Sequence, residues 1–458
     1  MSRSVTFYPG TLNGEIRIPS SKSVSHRLLI AAALAPGESI VRRVDPSNDI
    51  HATVQVLSAL GAAIRTESGS GGSVDYYISG ITPGHSDTVK SADCGESGST
   101  LRFLVPVAAA LGLPVRFTGH GRLPERPMGE LIDALTAHGA AISTPAGYTL
   151  PLTLHGQLTP GEYTLPGNIS SQYFTGLLFA LPLLNGDSRL TIAGKLESAA
   201  YIDLTIDALK TAGIHIKKEA NGFIIPGDQH YQPFETQAEG DWSQAVFFLA
   251  AGALGGDIRL TGLNPESAQG DRACCEILRA FGADLFWEGN TLRCRGGDLH
   301  GCEIDAAQIP DLVPALAACS CLCRGETHIY GAHRLRLKES DRIASTCAMI
   351  RSLGGVAEPD DDGITTRLSH LHGGTVRSFN AGSHPHPARS DRSHLHGGTV
   401  RSFNDHRILM SAAVLALRAD GPVNVDQAEC VNKSYPRFFE DYRKLGGIAD
   451  VIDTRDEL

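Results

Sequence analysis

The stretch "DCGESGSTLRFLVPVAAALG", Asp93–Gly112, joins a short Gly/Ser-rich break to a run of Leu, Val and Ala. Ser and Asp at such a break can cap a helix, and the apolar run after it predicts a buried one. The pattern of apolar strand, polar break and Ala/Leu-rich helix occurs six times, and this internal repeat is the main evidence for the fold. The other five copies are "PSSKSVSHRLLIAAALA", "GNISSQYFTGLLFALPLL", "EGDWSQAVFFLAAGALGG", "IPDLVPALAACSCLC" and "FNDHRILMSAAVLALRA".

A second helix follows in each unit and ends at a glycine before another strand, as in "TVQVLSALGAAIR" and "LIDALTAHGAAIS". Glycine adopts the left-handed conformation that ends many helices. Each unit therefore has a predicted βαβαβ order with extra short strands, roughly βαβαββ. Two helices per unit cannot bury their apolar faces alone, so three units grouped around shared helices would make one domain. We predict an α/β (α+β) chain of six such units, three per domain.

The last interval between units is irregular. The markers Ser21, Glu96, Ser170, Asp241, Asp311 and Asp405 are separated by 75, 74, 71, 70 and 94 residues. The excess is explained by "SHLHGGTVRSFN", which occurs at Ser369–Asn380 and again at Ser393–Asn404. Only the later copy leads into "DHRI", so we predict that it enters the sixth helix and that residues 369–392 form an exposed excursion. A cloning or sequence-assembly accident is an alternative origin of the duplicate.

The duplicated segment is rich in histidine. It supplies the pairs His370 with His372 and His394 with His396, and its surroundings add His384 and His386. Clustered histidines can bind a metal, although we favour loop histidines without function.

Composition narrows the class of protein. The 458 residues are 42% hydrophobic and 20% charged, which is typical of a folded chain of two or more domains. The net charge of -10 argues against a nucleic-acid-binding face, which would be basic. The N-terminus "MSRSVTFYPG" lacks the pattern of a signal peptide, and no apolar run approaches the ~18 residues of a membrane span. We therefore expect a cytoplasmic protein whose ten cysteines, which lack paired CxxC spacing, are reduced and mostly buried.

All six breaks precede a predicted helix. The N-terminus of a helix presents unpaired N–H groups and a partial positive charge, so three such ends facing three others across a cleft would hold small anions. For Asp241 in "DWSQ" we favour a plain helix cap. Basic residues lie at or beside the other breaks, and arginine can bind carboxylate or phosphate through two parallel hydrogen bonds. They are Lys22, Arg27, Arg102, Arg126, Lys338, Arg342, Arg407 and Lys433.

The stretch "RLRLKESDR", Arg334–Arg342, concentrates six charged residues. We predict that Lys338 and Arg342 lie one helical turn apart, with Glu339 beside them, as part of an anion site.

Seven motifs in order resemble the 5-enolpyruvylshikimate-3-phosphate (EPSP) synthase family of 3-phosphoshikimate 1-carboxyvinyltransferases. They are "PSSKSVSHR", "ESGSTLRF", "ERPM", "SSQYFTGLL", "IPDLVPALA", "LRLKESDR" and "NDHRI", and the resemblance covers nearly the whole chain except about residues 369–392. It implies transfer of the enolpyruvyl group of phosphoenolpyruvate to the 5-hydroxyl of shikimate 3-phosphate, on the route to chorismate and the aromatic amino acids. It also implies a monomer without metal or organic cofactor.

The resemblance further implies the two-domain inside-out α/β barrel of the enolpyruvyl transferase fold. The first lobe would hold residues 21–238, and the second would hold residues 1–20 and 239–458. The implied ligands of shikimate 3-phosphate are Lys22, Ser23, Arg27, Ser170, Ser171, Gln172, Ser198, Tyr201, Asp311 and Lys338. Those of phosphoenolpyruvate are Lys22, Gly98, Arg126, Gln172, Arg342, Arg407 and Lys433. The implied catalytic residues are Asp311, Glu339 and Lys22.

The enolpyruvyl transfer reaction itself also requires cationic and acidic residues of this kind. Each substrate carries one phosphate and one carboxylate, so the two together bring a charge of roughly -5 to -6 that eight cations can offset. The 5-hydroxyl needs a base and C3 of the enol needs an acid, and Asp311 and Glu339 are the acids best placed for these tasks.

Some positions depart from the better-known members of the family. Glu96 stands where Asn is common, Arg334 stands where Asn contacts the shikimate ring, and "SAAY" replaces "SKPY". We therefore leave Arg334 out of the predicted site. The duplication lies just upstream of Arg407 and could displace it.

Two alternatives remain. The sister enzyme, UDP-N-acetylglucosamine enolpyruvyl transferase, uses a cysteine on a mobile loop, and "RFTGHGRLPERPM" contains none. The second alternative is a non-catalytic phosphate-ligand or His-metal binding scaffold of the same fold, spoiled as an enzyme by the insertion.

Deleting residues 369–392 tests whether the duplicate is surplus. Because the later copy alone restores the regular interval, we expect neither the unfolding temperature nor the activity to fall when this segment is removed. Thermal unfolding and phosphate release by the two proteins would measure this, and a loss in either property would contradict the expectation.

Overall fold

A computed structural model of the chain describes residues 3–81, 88–368 and 395–453. Twelve α-helices lie in this part of the chain. They are α1 (Lys22–Leu34), α2 (Asn48–Leu60), α3 (Gly98–Ala110), α4 (Gly129–Thr136), α5 (Ser171–Ala180), α6 (Ala199–Thr211), α7 (Trp242–Ala253), α8 (Cys274–Phe281), α9 (Val313–Ser320), α10 (Arg342–Ser352), α11 (His406–Ala416) and α12 (Phe438–Lys444).

The strands of the described residues form six four-stranded sheets. In spatial order, sheet 1 contains Glu235–Gln237, Glu38–Val44, Val74–Ser79 and Ala63–Ser68, and sheet 2 contains Lys90–Asp93, Val115–Thr118, Leu152–Gly156 and Ala140–Ser143. Sheet 3 contains Glu162–Pro166, Ser188–Ala193, Gly222–Ile225 and Lys217–Glu219, and sheet 4 contains Asn13–Arg17, Asp257–Thr261, Thr291–Arg295 and Asp284–Glu288. Sheet 5 contains Glu303–Asp305, Glu326–Tyr330, Ile364–Arg367 and Val356–Pro359, and sheet 6 contains Gly398–Val400, Val423–Val425, Arg3–Phe7 and Ala449–Asp453.

All six sheets share one topology. The first two strands are parallel and the remaining pairs are antiparallel, and in sheets 2, 3, 5 and 6 a helix joins the two parallel strands. Sheets 2, 3 and 5 follow the order βαβαββ without interruption. Sheet 1 takes its first strand from Glu235–Gln237, while sheets 4 and 6 each take one strand from the N-terminal segment. The predicted repeat of six βαβαββ units is therefore confirmed.

The predicted helix ends and helix caps of the units are also observed. The second helix of the first unit ends at Gly61, whose φ of 120° is a conformation that favours glycine. At the polar breaks, the side chains of Ser21, Ser97, Ser170 and Asp405 each accept a backbone N–H of the helix they cap. Asp241 caps α7 in the predicted way. The fifth break differs, because a 3-10 turn at Pro310–Leu312 precedes α9.

The first helix of each unit is buried on all sides. Every residue of α7, α9 and α11 is buried, as are nearly all residues of α3 and α5. A helix that is apolar all round is stable only inside a core, so these helices lie inside and the sheets lie outside. This is the inside-out arrangement that the resemblance implied.

The buried apolar side chains form two clusters. One draws on residues between Leu28 and Ala238, and the other on Val5–Ile18 and on residues between Trp242 and Ala449. We propose that they are the cores of the two lobes, residues 21–238 and residues 1–20 with 239–458, which are called the first and second lobe below.

Two chain segments cross between the lobes side by side. Ser20 and Gly240 form an antiparallel bridge, and the N–H of Ser21 donates to the carbonyl of Glu239 at 2.7 Å. The carboxylate of Asp241 also accepts the N–H of Lys22 at 3.0 Å. The crossover therefore ties the start of α1 to the start of α7.

The later copy of the duplicated stretch supplies the strand Gly398–Val400 of sheet 6, as predicted. The predicted excursion at residues 369–392 lies outside the described residues, as do His370, His372, His384, His386 and His394. His396 is described, and its Nδ1 lies 2.9 Å from Asp420 Oδ2. Nine of the ten cysteines are buried and none forms a disulfide. Among the described helices, none has the length and apolar character needed to span a bilayer.

The close packing of α3 on α5 can be tested at Gly176. A Cβ added there would lie 2.3 Å from the carbonyl oxygen of Arg102 and 2.8 Å from Cγ of Pro106, so the helices would have to separate. We expect Gly176→Ala to lower the free energy of unfolding by about 1–3 kcal/mol. Chemical denaturation would measure this, with Gly129→Ala as the control. Gly129 is exposed at the start of α4 with nothing within 4 Å of an added Cβ, so that change should raise stability or leave it unaltered. Equal effects of the two substitutions would contradict the packing argument.

Candidate active site

A single cleft between the lobes collects the N-terminal turns of α1, α3, α5, α10 and α11 and the 3-10 turn before α9. Of the sixteen predicted site residues, fifteen line this cleft. They are Lys22, Ser23, Arg27, Gly98, Arg126, Ser170, Ser171, Gln172, Ser198, Tyr201, Asp311, Lys338, Glu339, Arg342 and Arg407. Lys433 lies outside the lining.

Asp311 is the centre of the charged network. Its Oδ1 accepts from Arg342 Nη1 at 2.9 Å and lies 3.5 Å from Lys338 Nζ. Its Oδ2 accepts from Arg407 Nη2 at 3.1 Å and from the Tyr201 hydroxyl at 3.1 Å. Burial alone would raise the pKa of Asp311, but these three cations outweigh it and hold the pKa well below its usual range.

Arg342 links the two predicted catalytic carboxylates. Its Nη2 donates to Glu339 Oε2 at 2.7 Å, and its Nε donates to Asp405 Oδ2 at 2.8 Å. Asp405 is fully buried at the start of α11, so it fixes the guanidinium in place. Burial would raise the pKa of Glu339, but Arg342 and Arg126 lower it well below the usual value. Both Asp311 and Glu339 are therefore ionised at neutral pH before any substrate binds.

The predicted helical turn between Lys338 and Arg342 is wrong. A 3-10 turn at His333–Leu337 ends before Lys338, which is extended, and α10 begins only at Arg342. The reason is Asp341, whose carboxylate caps α10 by accepting the N–H of Ala344 at 3.0 Å. Lys338 and Arg342 still meet at Asp311, because the turn folds the chain back on itself.

Lys22 stands at the first residue of α1. Its ammonium lies 2.8 Å from Asp49 Oδ2. Burial would lower the pKa of Lys22, but the carboxylates of Asp49 and Glu339 outweigh it and raise the pKa. Lys22 therefore remains protonated in the cleft.

Three buried arginines differ because their observed partners are neutral. Arg27 donates to the hydroxyls of Thr205 and Thr175 and to the carbonyls of Ser23 and Tyr201. Arg102 donates to the amide oxygen of Gln172 and to the carbonyl of Pro127.

The third is Arg126, whose Nε is buried with no partner among the described residues. Burial lowers the pKa of Arg27 to about 9 and that of Arg102 to about 10, which reflects how much the site would gain from a counter-ion. A buried charge without a partner is costly, so this face of the cleft is built to take an anion.

Gly98 permits close approach of one of these cations. A Cβ on Gly98 would lie 2.6 Å from Nη1 of Arg126. The arginine therefore rests on the N-terminus of α3, where the unpaired N–H groups of the helix add to its attraction for an anion.

Lys433 is held away from the cleft lining. Its ammonium lies 2.8 Å from Glu96 Oε2 in the first lobe and donates to the carbonyl of Asn404 at 2.8 Å. The unusual Glu96 noted in the sequence is thus the partner of a predicted ligand.

Ten residues outside the predicted set also line the cleft, and the acidic and basic ones among them are Asp49, Arg102, Arg334 and His406. Arg334 was left out of the predicted set, but it lines the cleft, where its Nη2 donates to Ser198 Oγ at 2.8 Å. Arg102 was visible as a cation at a helix start, and His406 adjoins Arg407. The sequence did not identify Asp49 as a site residue, because an acidic residue in the first turn of a helix is already accounted for by its favourable interaction with the helix dipole.

The sequence of the chain is similar to those of known proteins. The sequence profile of "EPSP synthase (3-phosphoshikimate 1-carboxyvinyltransferase)" matches residues 8–442. A 3-phosphoshikimate 1-carboxyvinyltransferase of Clostridium kluyveri is 40% identical over 451 residues, covering 97% of this chain and 98% of that protein. The enzyme of Clostridium perfringens is 39% identical over 449 residues, covering 97% and 99%.

Solved structures add the fold. An EPSP synthase of Acinetobacter baumannii aligns with a TM-score of 0.79 at 27% identity, covering 98% of this chain and 100% of that one. The enolpyruvyl transferase NikO of Streptomyces tendae has a TM-score of 0.75 at 17% identity, covering 98% and 99%, and bears on the fold alone. The architecture is thus that of an enolpyruvyl transferase. Within this class, the chain belongs to the EPSP synthase family.

The unpaired arginines predict that the substrate-free protein binds simple anions. We expect inorganic phosphate to raise the unfolding temperature with the concentration dependence of a bound ligand. Arg27→Gln should remove most of this rise, because it deletes a buried cation that has only neutral partners. Arg189→Gln is the control, since Arg189 is an exposed cation paired with Glu219. Thermal unfolding over a phosphate titration would measure the effect, and an undiminished rise in Arg27→Gln would contradict the assignment.

Proposed function

We propose that the chain transfers the enolpyruvyl group of phosphoenolpyruvate to the 5-hydroxyl of shikimate 3-phosphate. The products are 5-enolpyruvylshikimate 3-phosphate and phosphate. The observation that carries the proposal is the convergence of cations from both lobes on one cleft, with Asp311 and Glu339 among them. Family membership supplies the identity of the two substrates.

Phosphoenolpyruvate is assigned to the side of the cleft formed by α3, α10 and α11. Its proposed ligands are Lys22, Gly98, Arg126, Gln172, Arg342, Arg407 and Lys433. Arg126, resting on Gly98, and the N-terminus of α3 suit a phosphate or carboxylate. Lys433 can take part only if its bond to Glu96 is exchanged or shared.

Shikimate 3-phosphate is assigned to the side formed by α1, α5 and α6. Its proposed ligands are Lys22, Ser23, Arg27, Ser170, Ser171, Gln172, Ser198, Tyr201, Asp311 and Lys338. The N-terminus of α5 and the unpaired charge of Arg27 favour the phosphate at this end. Gln172 lies between the two assigned sites, where its amide bonds Arg102 and Ser99.

Asp311, Glu339 and Lys22 are the proposed catalytic groups. The reaction needs a base for the 5-hydroxyl and an acid for C3 of the enol. In the substrate-free protein the surrounding cations hold the pKa values of Asp311 and Glu339 low. The two substrates bring a charge of roughly -5 to -6 into the same cleft. That charge offsets the cations and raises both pKa values toward the range in which a carboxyl exchanges protons efficiently.

We also propose that the enzyme works as a cytoplasmic monomer without metal or organic cofactor. This follows the expectation from the family, and the proposed charge balance requires only groups of the chain itself.

A non-catalytic scaffold is the less favoured alternative. It assumed that the inserted segment displaces Arg407, but Arg407 lies in the cleft and bonds to Asp311.

The activity is tested by phosphate release. We expect release from the purified full-length chain only when phosphoenolpyruvate and shikimate 3-phosphate are both present, because the enolpyruvyl group needs its acceptor. Release from phosphoenolpyruvate alone, or none with both, would refute the proposed transfer.

The roles of the two carboxylates are tested in the same assay. Glu339→Gln and Asp311→Ala should each lower kcat by about 10²–10⁴-fold, as for the loss of a general acid or base. Asp311→Asn keeps the shape of the side chain, so its comparison with Asp311→Ala separates the loss of the carboxylate charge from the loss of side-chain volume. Glu326→Gln, an exposed carboxylate of the second lobe, is the control. Near-normal kcat in Glu339→Gln would remove that residue from the mechanism.

A further inference from the structure

The wall of the cleft beside Ser198 is built by both lobes, and it contains an ion pair to which the proposed function gives no role. Arg334 of the second lobe places Nε 2.5 Å from Glu197 Oε2 of the first lobe. Its Nη2 donates to Ser198 Oγ at 2.8 Å and to the carbonyl of Ala307 at 3.0 Å. One guanidinium therefore holds two consecutive residues of the opposite lobe.

This ion pair is well shielded from solvent. The side chains of Glu197 and Arg334 are each 10% exposed, in contrast to most ion pairs of the chain, which lie on the surface. Exposed ion pairs contribute little to stability, because solvent screens their charges, whereas the charges of a shielded pair act on each other more strongly. Removing one partner here would leave the other buried and unpaired.

The segment that Arg334 holds is poorly stabilised by its own lobe. Ser198 has a φ of 55°, which is unfavourable for a residue with a side chain, and it makes no side-chain cap for α6. The second lobe compensates, since the N–H of Ser198 donates to Ala307 and the N–H of Ala199 donates to Gln308 Oε1 at 2.8 Å. The start of α6 is thus capped from across the cleft.

We propose that Arg334 is a positioning residue for shikimate 3-phosphate, acting with Glu197 to fix the hydroxyl of Ser198 when the lobes meet. This inference rests on the proposed function, in which Ser198 is a ligand of that substrate. Contacts from the second lobe set both the backbone and the hydroxyl of Ser198. The phosphate end of the site is therefore completed by the second lobe.

The test is steady-state kinetics of Arg334→Gln and Glu197→Gln, with each substrate varied at saturating levels of the other. We expect both changes to raise the KM for shikimate 3-phosphate about 10-fold or more, which corresponds to ~1.4 kcal/mol. The KM for phosphoenolpyruvate should change less than about 3-fold, because Ser198 is not among its proposed ligands. Arg334→Lys should not rescue, since an ammonium cannot bond Glu197 and Ser198 in the same fork.

A double-mutant cycle with Ser198→Ala separates positioning from direct contact. If Arg334 acts through Ser198, Arg334→Gln should add little to the rise that Ser198→Ala alone produces. Glu219→Gln is the matched control, because it breaks a 2.6 Å ion pair of the first lobe that is exposed and distant in sequence from the cleft, and it should alter neither KM.

Three results would overturn the proposal: an unchanged KM for shikimate 3-phosphate in Arg334→Gln, equal rises in both KM values, or full additivity with Ser198→Ala. Thermal unfolding would show whether each variant is folded. If Arg334→Gln does not fold, Arg334→Lys replaces it in the kinetic test. A wild-type chain that fails to release phosphate from the two substrates together would refute the proposed function. If the wild type is fully active and Arg334→Gln leaves the KM for shikimate 3-phosphate unchanged, only this inference would be refuted.

Discussion

The site depends on one partly buried carboxylate that organises three cations from separate segments of the second lobe. Asp311 binds Lys338, Arg342 and Arg407, which approach from the 3-10 turn, from α10 and from α11. Without a shared anion, three like charges this close together would repel one another strongly in a desolvated cleft. Asp405 gives Arg342 a second anchor from the cap of α11. The positive face of the cleft is therefore a preformed structure, and its orientation is set before any substrate arrives.

The repeat explains how such a face arises. Because the first helix of each unit is buried on all sides, its N-terminus is the one part of it that can reach the cleft. Packing three units around shared helices brings these ends to one side of each lobe, where caps and cations alternate. The N-terminal segment connects the two lobes. Its strands Arg3–Phe7 and Asn13–Arg17 belong to sheets 6 and 4 of the second lobe, and the chain then crosses into the first lobe at Lys22. The proposed catalytic lysine thus stands next to the crossover, with its N–H bound to Asp241.

Periodicity let the sequence predict the units and the helix caps, because these features are local. The resemblance to the EPSP synthase family supplied the sixteen predicted site residues, of which fifteen line the cleft. What the sequence missed was pairing over long distances. The residues near Arg334 in the chain do not indicate that it pairs with Glu197. Those near Lys433 do not indicate that it pairs with Glu96, because each partner lies in the other lobe. The error at Lys338 and Arg342 has the same character on a smaller scale. The charged stretch Arg334–Arg342 was predicted to contain a helical turn, but α10 begins only at Arg342, which is capped by Asp341, and Lys338 is extended.

Two of the sequence positions that departed from the family's pattern, Glu96 and Arg334, form ion pairs between the lobes. Asp49 pairs with Lys22 within the first lobe, inside the cleft. In the substrate-free protein, internal carboxylates therefore neutralise part of the positive charge that the substrates are expected to meet. Binding an anion then becomes partly an exchange of one ion pair for another, so the net affinity is smaller than the number of cations suggests. Arg27, Arg102 and Arg126 have no hydrogen-bonded carboxylate to give up in such an exchange. They should supply most of the binding free energy, and the paired cations should mainly set orientation.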